Sequence, residues 1–354
     1  MKKRLLACML AGAVLLASIG LTACADQKTE GKKQKFSEYS FDYFDTVTTI
    51  VGYEKTQAEF DAKAAQILQE LEEYHKLFTI YHRYDGLENL CTINELVDGN
   101  HRTVTVDRRI VEMLLYAKDM YSKTDGIVNI AMGSVLSIWH EYRTFGIDDP
   151  SNAELPPIDR LRDAAEHTDI GCLMIDEDKN TVTITDPEMK LDVGAIAKGY
   201  AVEMIARGLE EKGIDGYVLN VGGNVRTVGS KGDGEKWTVG VEDPSGGEEY
   251  LAYLQLAGES LVTSGSYQRY YVVDGKRYHH IIDPKTLMPS EGYLAVSIVC
   301  QSSAMGDALS TALFCMSLED GLALVNSMDG VEAMWTTENG ENHQSDGFST
   351  YVKK

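Results

Sequence analysis

Proline is scarce in this chain, 7 residues of 354, and no Pro/Ser-rich linker divides it after the N-terminal segment. That excludes a string of separately tethered domains and favours one unit. Cysteine is scarce as well. None of the 6 cysteines stands in a CxxC spacing, which excludes a zinc ribbon and a dense disulfide framework. Cys91, Cys172, Cys300 and Cys315 read as buried thiols, although an exported chain can pair two of them. Basic residues are outnumbered, 33 Lys and Arg against 55 Asp and Glu, for a formal charge of −22. Such a surface repels nucleic acid, and it does not adhere to anionic lipid by charge alone. Any phosphate ligand must be gripped by local groups or by a bound cation, because the overall field opposes it. No internal repeat and no low-complexity tract is present.

The N-terminus has the layout of an export signal. Lys2-Lys3-Arg4 is its charged region, and Leu5 to Leu21 its apolar stretch. That stretch is short for a spanning helix. Leu21-Thr22-Ala23-Cys24 resembles a bacterial lipobox, which implies that Cys24 is lipidated and becomes the new N-terminus. The expected organisation is a signal over residues 1–23, a polar tether over 24–38, and a folded catalytic unit over 39–345. The expected location is the cell membrane, lipid-anchored, on the extracytoplasmic face.

Apolar residues make up 44% of the chain, enough for a real core. The β-branched stretch Tyr39–Tyr53 predicts a strand. Apolar residues at helical spacing predict a helix over Thr56–Tyr81, and Asp107 is placed to cap another that runs through Tyr121. Further helices are expected over Val135–Tyr142, from Ala195 to about Lys212, and over Ala304–Met316 and Leu318–Met328. Gly216–Val221, Trp237–Val241, Leu251–Leu256, Tyr270–Val273, Tyr293–Gln301 and Val331–Thr336 read as strands. Thr263-Ser264-Gly265-Ser266-Tyr267 reads as a hydroxyl-rich turn. Strand runs with interspersed helices are not a regular βαβ alternation. They predict an α+β fold of mixed, mostly antiparallel sheets with packed helices, one catalytic unit of two lobes.

Four stretches carry chemistry. In Leu191–Glu203, LDVGAIAKGYAVE, small residues open a helix whose N-terminus suits a phosphate, and Lys198 adds a mobile cation. An Ala-rich core helix fits the same residues. Asp307 and Thr311 stand one helical turn apart, so a carboxylate and a hydroxyl share a face. With a backbone carbonyl they make a hard oxygen site suited to Mg²⁺; a capping Asp and a Thr bonded to its own helix fit as well. His280 ends a strand and can take a proton at neutral pH, or can be structural. Tyr81 can stack on a flat ligand or on the protein's own core.

Taken together, LDVGAIAKGYAVE, NVGGN, TSGSYQR, YHHIIDP and MGDALSTALF occur in an order that resembles ApbE-type FAD:protein FMN transferases. The resemblance extends from about Phe41 to Trp335 and includes the lipobox. It implies transfer of the FMN half of FAD to a Thr or Ser hydroxyl of a partner protein, with a phosphoester formed, AMP released and Mg²⁺ required. The implied metal ligands are the Ala195 carbonyl, Asp307 and Thr311. The implied FAD contacts are Tyr81, Ala131, Met132, Gly133, Asp192, Lys198 and Ile281. His280 is the implied catalytic histidine, with Asp283 as its aid. The implied acceptor is an exported or membrane redox protein. Two other activities fit: hydrolysis of FAD to FMN and AMP, and flavin storage without chemistry. The chain departs from the pattern at Phe44-Asp45-Thr46, where relatives often have Met-Gly-Thr. It departs again at Asn129–Gly133, often Asp-Pro-Thr-Val-Gly, and at Thr286-Leu287, often Thr-Gly.

Overall fold

The computed structural model describes residues 32–95, 102–247 and 249–354. Cys24 and the expected signal lie outside the described residues. Among the described residues, no helix is long and apolar enough to cross a membrane.

An eight-stranded sheet organises the chain. Its strands are Gln34–Ser40, Thr48–Glu54, Tyr217–Val221, Asn224–Val228, Ser260–Gly265, Tyr293–Cys300, Glu332–Thr337 and Asn342–Gln344. They lie side by side in the order in which they occur in the sequence, and each neighbouring pair is antiparallel. Among the described residues, every other element except the closing turn Phe348–Thr350 is an insertion into this meander. The longest insertion follows the second strand and, among the described residues, carries six α-helices and a small three-stranded sheet.

Residue pattern explains the layers. Thr48–Glu54 alternates buried and half-buried residues, as a strand with one covered face does. Tyr293–Cys300 is buried almost throughout, because both of its faces are covered. On one face lies the Ser303–Phe314 helix, itself apolar on most sides. On the other, Leu261, Val299 and Met334 pack with Leu254 and Phe348 in a satellite core. The principal core joins the sheet to Gln57–Phe78, Arg108–Lys123 and Ala197–Glu211. There the Phe60 and Tyr217 rings stack 6.3 Å apart. A third cluster, around Trp139, Tyr271 and Ile282, seats Gly133–Asp148 against the hairpin Tyr270–Val273/Lys276–His279.

The structure corrects several expectations. The expected strand Tyr39–Tyr53 is two strands, because Phe44 and Asp45 take left-handed backbone conformations (φ 53° and 51°) and turn the chain. Gln34, inside the expected tether, already belongs to the sheet, because its segment pairs with Thr48–Glu54. It also passes residue 345: Phe348 is fully buried, and Lys353 donates to the Tyr253 carbonyl. Thr263 and Ser264 lie on an inner strand of the sheet, not in a turn. Their hydroxyls are satisfied there by Ser297 and Ser310, each 2.8 Å away. The four cysteines Cys91, Cys172, Cys300 and Cys315 are unpaired thiols.

Candidate active site

The opening motif is less helical than its pattern suggests. Leu191–Ile196 is a loop, and the helix starts at Ala197. Asn94 fixes the loop by bonding both peptide groups of Leu191, Nδ2 to the carbonyl at 2.8 Å and Oδ1 from the N–H at 2.7 Å. Ala131-Met132-Gly133 runs alongside: Asp192 N donates to Ile130 O at 2.8 Å, and Gly133 N to Lys190 O at 2.9 Å. A side chain at Gly133 would put Cβ 2.5 Å from the Lys190 carbonyl. The fold thus brings two of the expected flavin-contact segments together.

Asp307 sits on the Ser303–Phe314 helix and is 4% exposed. Its Oδ2 accepts the Gly199 N–H at 2.8 Å, and its Oδ1 the Asn224 amide at 3.3 Å. The Lys198 ammonium lies 3.2 Å and 3.4 Å from the two oxygens, and 3.4 Å from the Gly194 carbonyl. Thr311 Oγ1 faces back to the Asp307 carbonyl oxygen at 3.4 Å. The buried carboxylate already holds a cation beside the Gly194 carbonyl, while the Thr311 hydroxyl is turned back on its own helix. This hard oxygen set fits Mg²⁺, with Lys198 as the group that would yield its place.

Two devices bring these helices together. Glu203 Oε2 accepts the Ser303 N–H at 2.9 Å, and its carboxylate is flanked by Arg207 at 2.7 Å and Arg226 at 3.4 Å. Gly199 supplies the close approach. A Cβ there would fall 2.4 Å from Ser303 O and 2.5 Å from Asp307 Cβ. Gly199→Ala is therefore expected to part the helices and cost about 1–3 kcal/mol of stability by overpacking. Denaturant unfolding measures the loss, and an unchanged midpoint would contradict the packing.

His280 lies just past the strand Lys276–His279. Its backbone N–H donates to the Arg269 carbonyl at 3.1 Å, and its Nδ1 is 3.2 Å from the same oxygen. A carbonyl can only accept, so Nδ1 carries the proton and Nε2 keeps a free lone pair. Desolvation, then Arg269, Arg143, His279 and Lys198, hold the ring's pKa down to about 3. A neutral imidazole with an open Nε2 has the tautomer of a general base, and an anion beside it would raise the low proton affinity toward the range such a base needs. His279 instead bonds the Ser290 carbonyl at 2.7 Å and packs edge-on to Phe314.

Tyr81 is 52% exposed, and its ring lies 5.4 Å from that of His140. Its pKa is raised by desolvation and by Asp192 and Asp45, against Arg143 and Arg269. Asp192 accepts the Gly194 N–H at 2.8 Å, and desolvation raises its pKa against that bond and against His140, Arg143 and Arg269. Tyr81, Asp192 and His280 thus share one cationic surround. Ile281 is buried beside His280, its carbonyl taken by Ser290 N at 3.0 Å. Asp283 is not brought to His280 by any hydrogen bond. Its carboxylate accepts the Lys285 N–H at 2.9 Å and its backbone closes the following turn.

Sequence reasoning missed Asn94, Asn224, His140, Arg143 and Arg269 as site residues. Asn224 and Arg269 stood inside quoted motifs, NVGGN and TSGSYQR. His140 and Arg143 are two polar residues on an ordinary amphipathic helix, with no local signal.

The fold and this site define a class: an α+β enzyme whose site sets a buried carboxylate–cation pair and a neutral histidine among cationic groups. The chain belongs to the ApbE family, whose model matches residues 44–335. It is 31% identical over 274 residues to the FAD:protein FMN transferase of Klebsiella pneumoniae strain 342, covering 75% of this chain and 82% of that one. It is 34% identical over 247 residues to the FAD:protein FMN transferase of Treponema pallidum strain Nichols, covering 66% of each. Among solved structures it is similar to the ApbE protein of Thermotoga maritima MSB8, with TM-score 0.78 and 27% identity over 91% of this chain and all of that one. The flavin transferase ApbE of Vibrio cholerae, at TM-score 0.74 and 22% identity over 90% of this chain and 99% of that one, shares the fold.

Two departures from the family pattern now have a physical description. Asp45 and Leu287, where relatives often have Gly, both keep left-handed backbone, φ 51° and 62°. Asp tolerates that region. Leu287 is held there by packing beside Ile282 and by its carbonyl, which accepts Trp139 Nε1 at 2.9 Å.

Proposed function

We propose that the chain transfers FMN from FAD to a Thr or Ser hydroxyl of an exported or membrane redox protein, forming a phosphoester and releasing AMP. The open Nε2 of His280 is the observation that carries this reading. It removes the acceptor proton as the hydroxyl oxygen bonds to the FMN-side phosphorus and the bond to AMP breaks. Asp307, Thr311 and the Ala195 carbonyl would hold Mg²⁺, which when bound neutralises diphosphate charge. Lys198, freed from Asp307, reaches a phosphoryl oxygen. Tyr81 lies against the flavin, and the backbone of Ala131–Gly133, Asp192 and Ile281 lines the ligand. The lipobox reading of Cys24 tethers this chemistry to the extracytoplasmic face of the cell membrane, where such acceptors lie.

Incubation with FAD, Mg²⁺ and a candidate acceptor domain tests the reading. The expected result is a fluorescent acceptor band and stoichiometric AMP, both lost with EDTA. AMP without a labelled acceptor would make the chain a hydrolase. Bound FAD with neither product would make it a storage protein.

A further inference from the structure

We propose that Arg143 and Arg269 form a two-arginine clamp on the phosphate oxygens of the dinucleotide, beside His280. This deepens the flavin-transfer reading and rests on its ligand.

The chain is rich in carboxylates, and among the described residues seven arginines, Arg83, Arg109, Arg160 and Arg226 among them, are in ion pairs, while Arg277 lies over the Tyr270 ring. Among the described residues, Arg143 and Arg269 are in none. Each is held instead by an uncharged acceptor. Arg143 Nη2 lies 2.9 Å from His140 Nδ1, and Arg269 Nη2 donates to the Asp45 carbonyl at 3.4 Å. A guanidinium has five N–H donors, so most of each fork remains open. His140 is also the ring against Tyr81, and the Arg269 carbonyl is also the anchor of His280. The two arginines therefore border the same residues, Arg143 through His140 and Tyr81 and Arg269 through the carbonyl that anchors His280.

Their mutual placement is electrostatically unfavourable. Desolvation and the charge of Arg269 both weigh against the charged form of Arg143. The carboxylates facing the group are Asp192 and Asp45, and neither forms an ion pair with it. Paired forks match phosphate oxygens in a bidentate way that a lysine does not. Phosphate is also what belongs there: if His280 Nε2 takes the acceptor's proton, the phosphorus under attack lies within one hydroxyl of it.

The test uses the purified full-length protein and its R143Q, R269Q, R143K and R269K variants. Equilibrium flavin fluorescence compares FAD with riboflavin, which lacks phosphate. Each Gln variant is expected to lose about tenfold or more in FAD affinity while riboflavin affinity holds, with partial recovery in the Lys variants. Equal weakening toward both flavins would overturn the clamp in favour of a structural role. Unchanged FAD affinity with a raised KM for the acceptor would also overturn it, assigning the arginines to an acidic acceptor segment. A wild-type protein that binds FAD yet labels no acceptor would remove the transfer reading alone, since the clamp is read from the two flavin affinities.

Discussion

Replacing Asp307 with alanine is expected to lower FMN transfer by about a hundredfold to a thousandfold and to abolish its dependence on Mg²⁺. The reason is local. Asp307 is the one carboxylate to which Lys198, the Gly199 N–H and the Asn224 amide all converge. Its loss removes the charged oxygen donor and leaves a buried N–H without a partner, which costs about 1–3 kcal/mol. The helices themselves stay together through Glu203 and the Ser303 N–H, so the far-ultraviolet circular dichroism should remain native. Asp307→Asn separates charge from shape. It keeps an acceptor for Gly199 and should recover stability while staying inactive. Steady-state transfer assays with and without Mg²⁺ check this, and a Mg²⁺-dependent rate surviving in either variant would remove Asp307 from the metal site.

His280→Ala should slow transfer by about a hundredfold to ten-thousandfold with FAD affinity nearly unchanged. A loss of binding instead would make His280 a ligand contact. The pH dependence provides an independent check. Desolvation and four surrounding groups, Arg269, Arg143, His279 and Lys198, keep the folded ring's pKa near 3, against 6.5 for a free imidazole. The base is therefore unprotonated across the neutral range, and kcat/KM of the wild type should show no acid limb at the ordinary imidazole value. Stability has its own sign. Between pH 6.5 and about 3 the unfolded chain binds a proton at this position that the folded chain refuses. Folding stability therefore falls as pH drops through that window. His280→Ala should flatten that fall, which urea midpoints measured at several pH values would reveal.

How much of this was legible in the chain varies by element. The Gln57–Phe78 helix, the Asp107 cap and the buried Ser303–Phe314 helix followed from periodicity and capping chemistry, and the structure agrees with them. The split of Tyr39–Tyr53 was not legible. Its turn is made by Phe44 and Asp45, residues that do not advertise a left-handed backbone as Gly does. The strand Ser260–Gly265 was hidden because Thr263, Ser264 and Gly265 are turn-like in isolation. Only pairing with Tyr293–Cys300 and hydroxyl partners on other elements make them a strand.

The site divides in the same way. Residue types and their order determined which chemistry was available: a hard carboxylate on Asp307, a mobile cation on Lys198, a titratable ring on His280, and an acidic chain that needs local groups to hold phosphate. Tertiary structure alone decided who meets whom. Lys198 and Asp307 are 109 positions apart, and no sequence period reports a pairing across that distance. His140, Arg143 and Arg269 are unremarkable one by one, since a charge on a helix face is usually a solvated charge. They became site residues because the fold presses one helix, one hairpin and the Leu191–Ile196 loop around His280, and that convergence sets the ring's tautomer and its proton affinity.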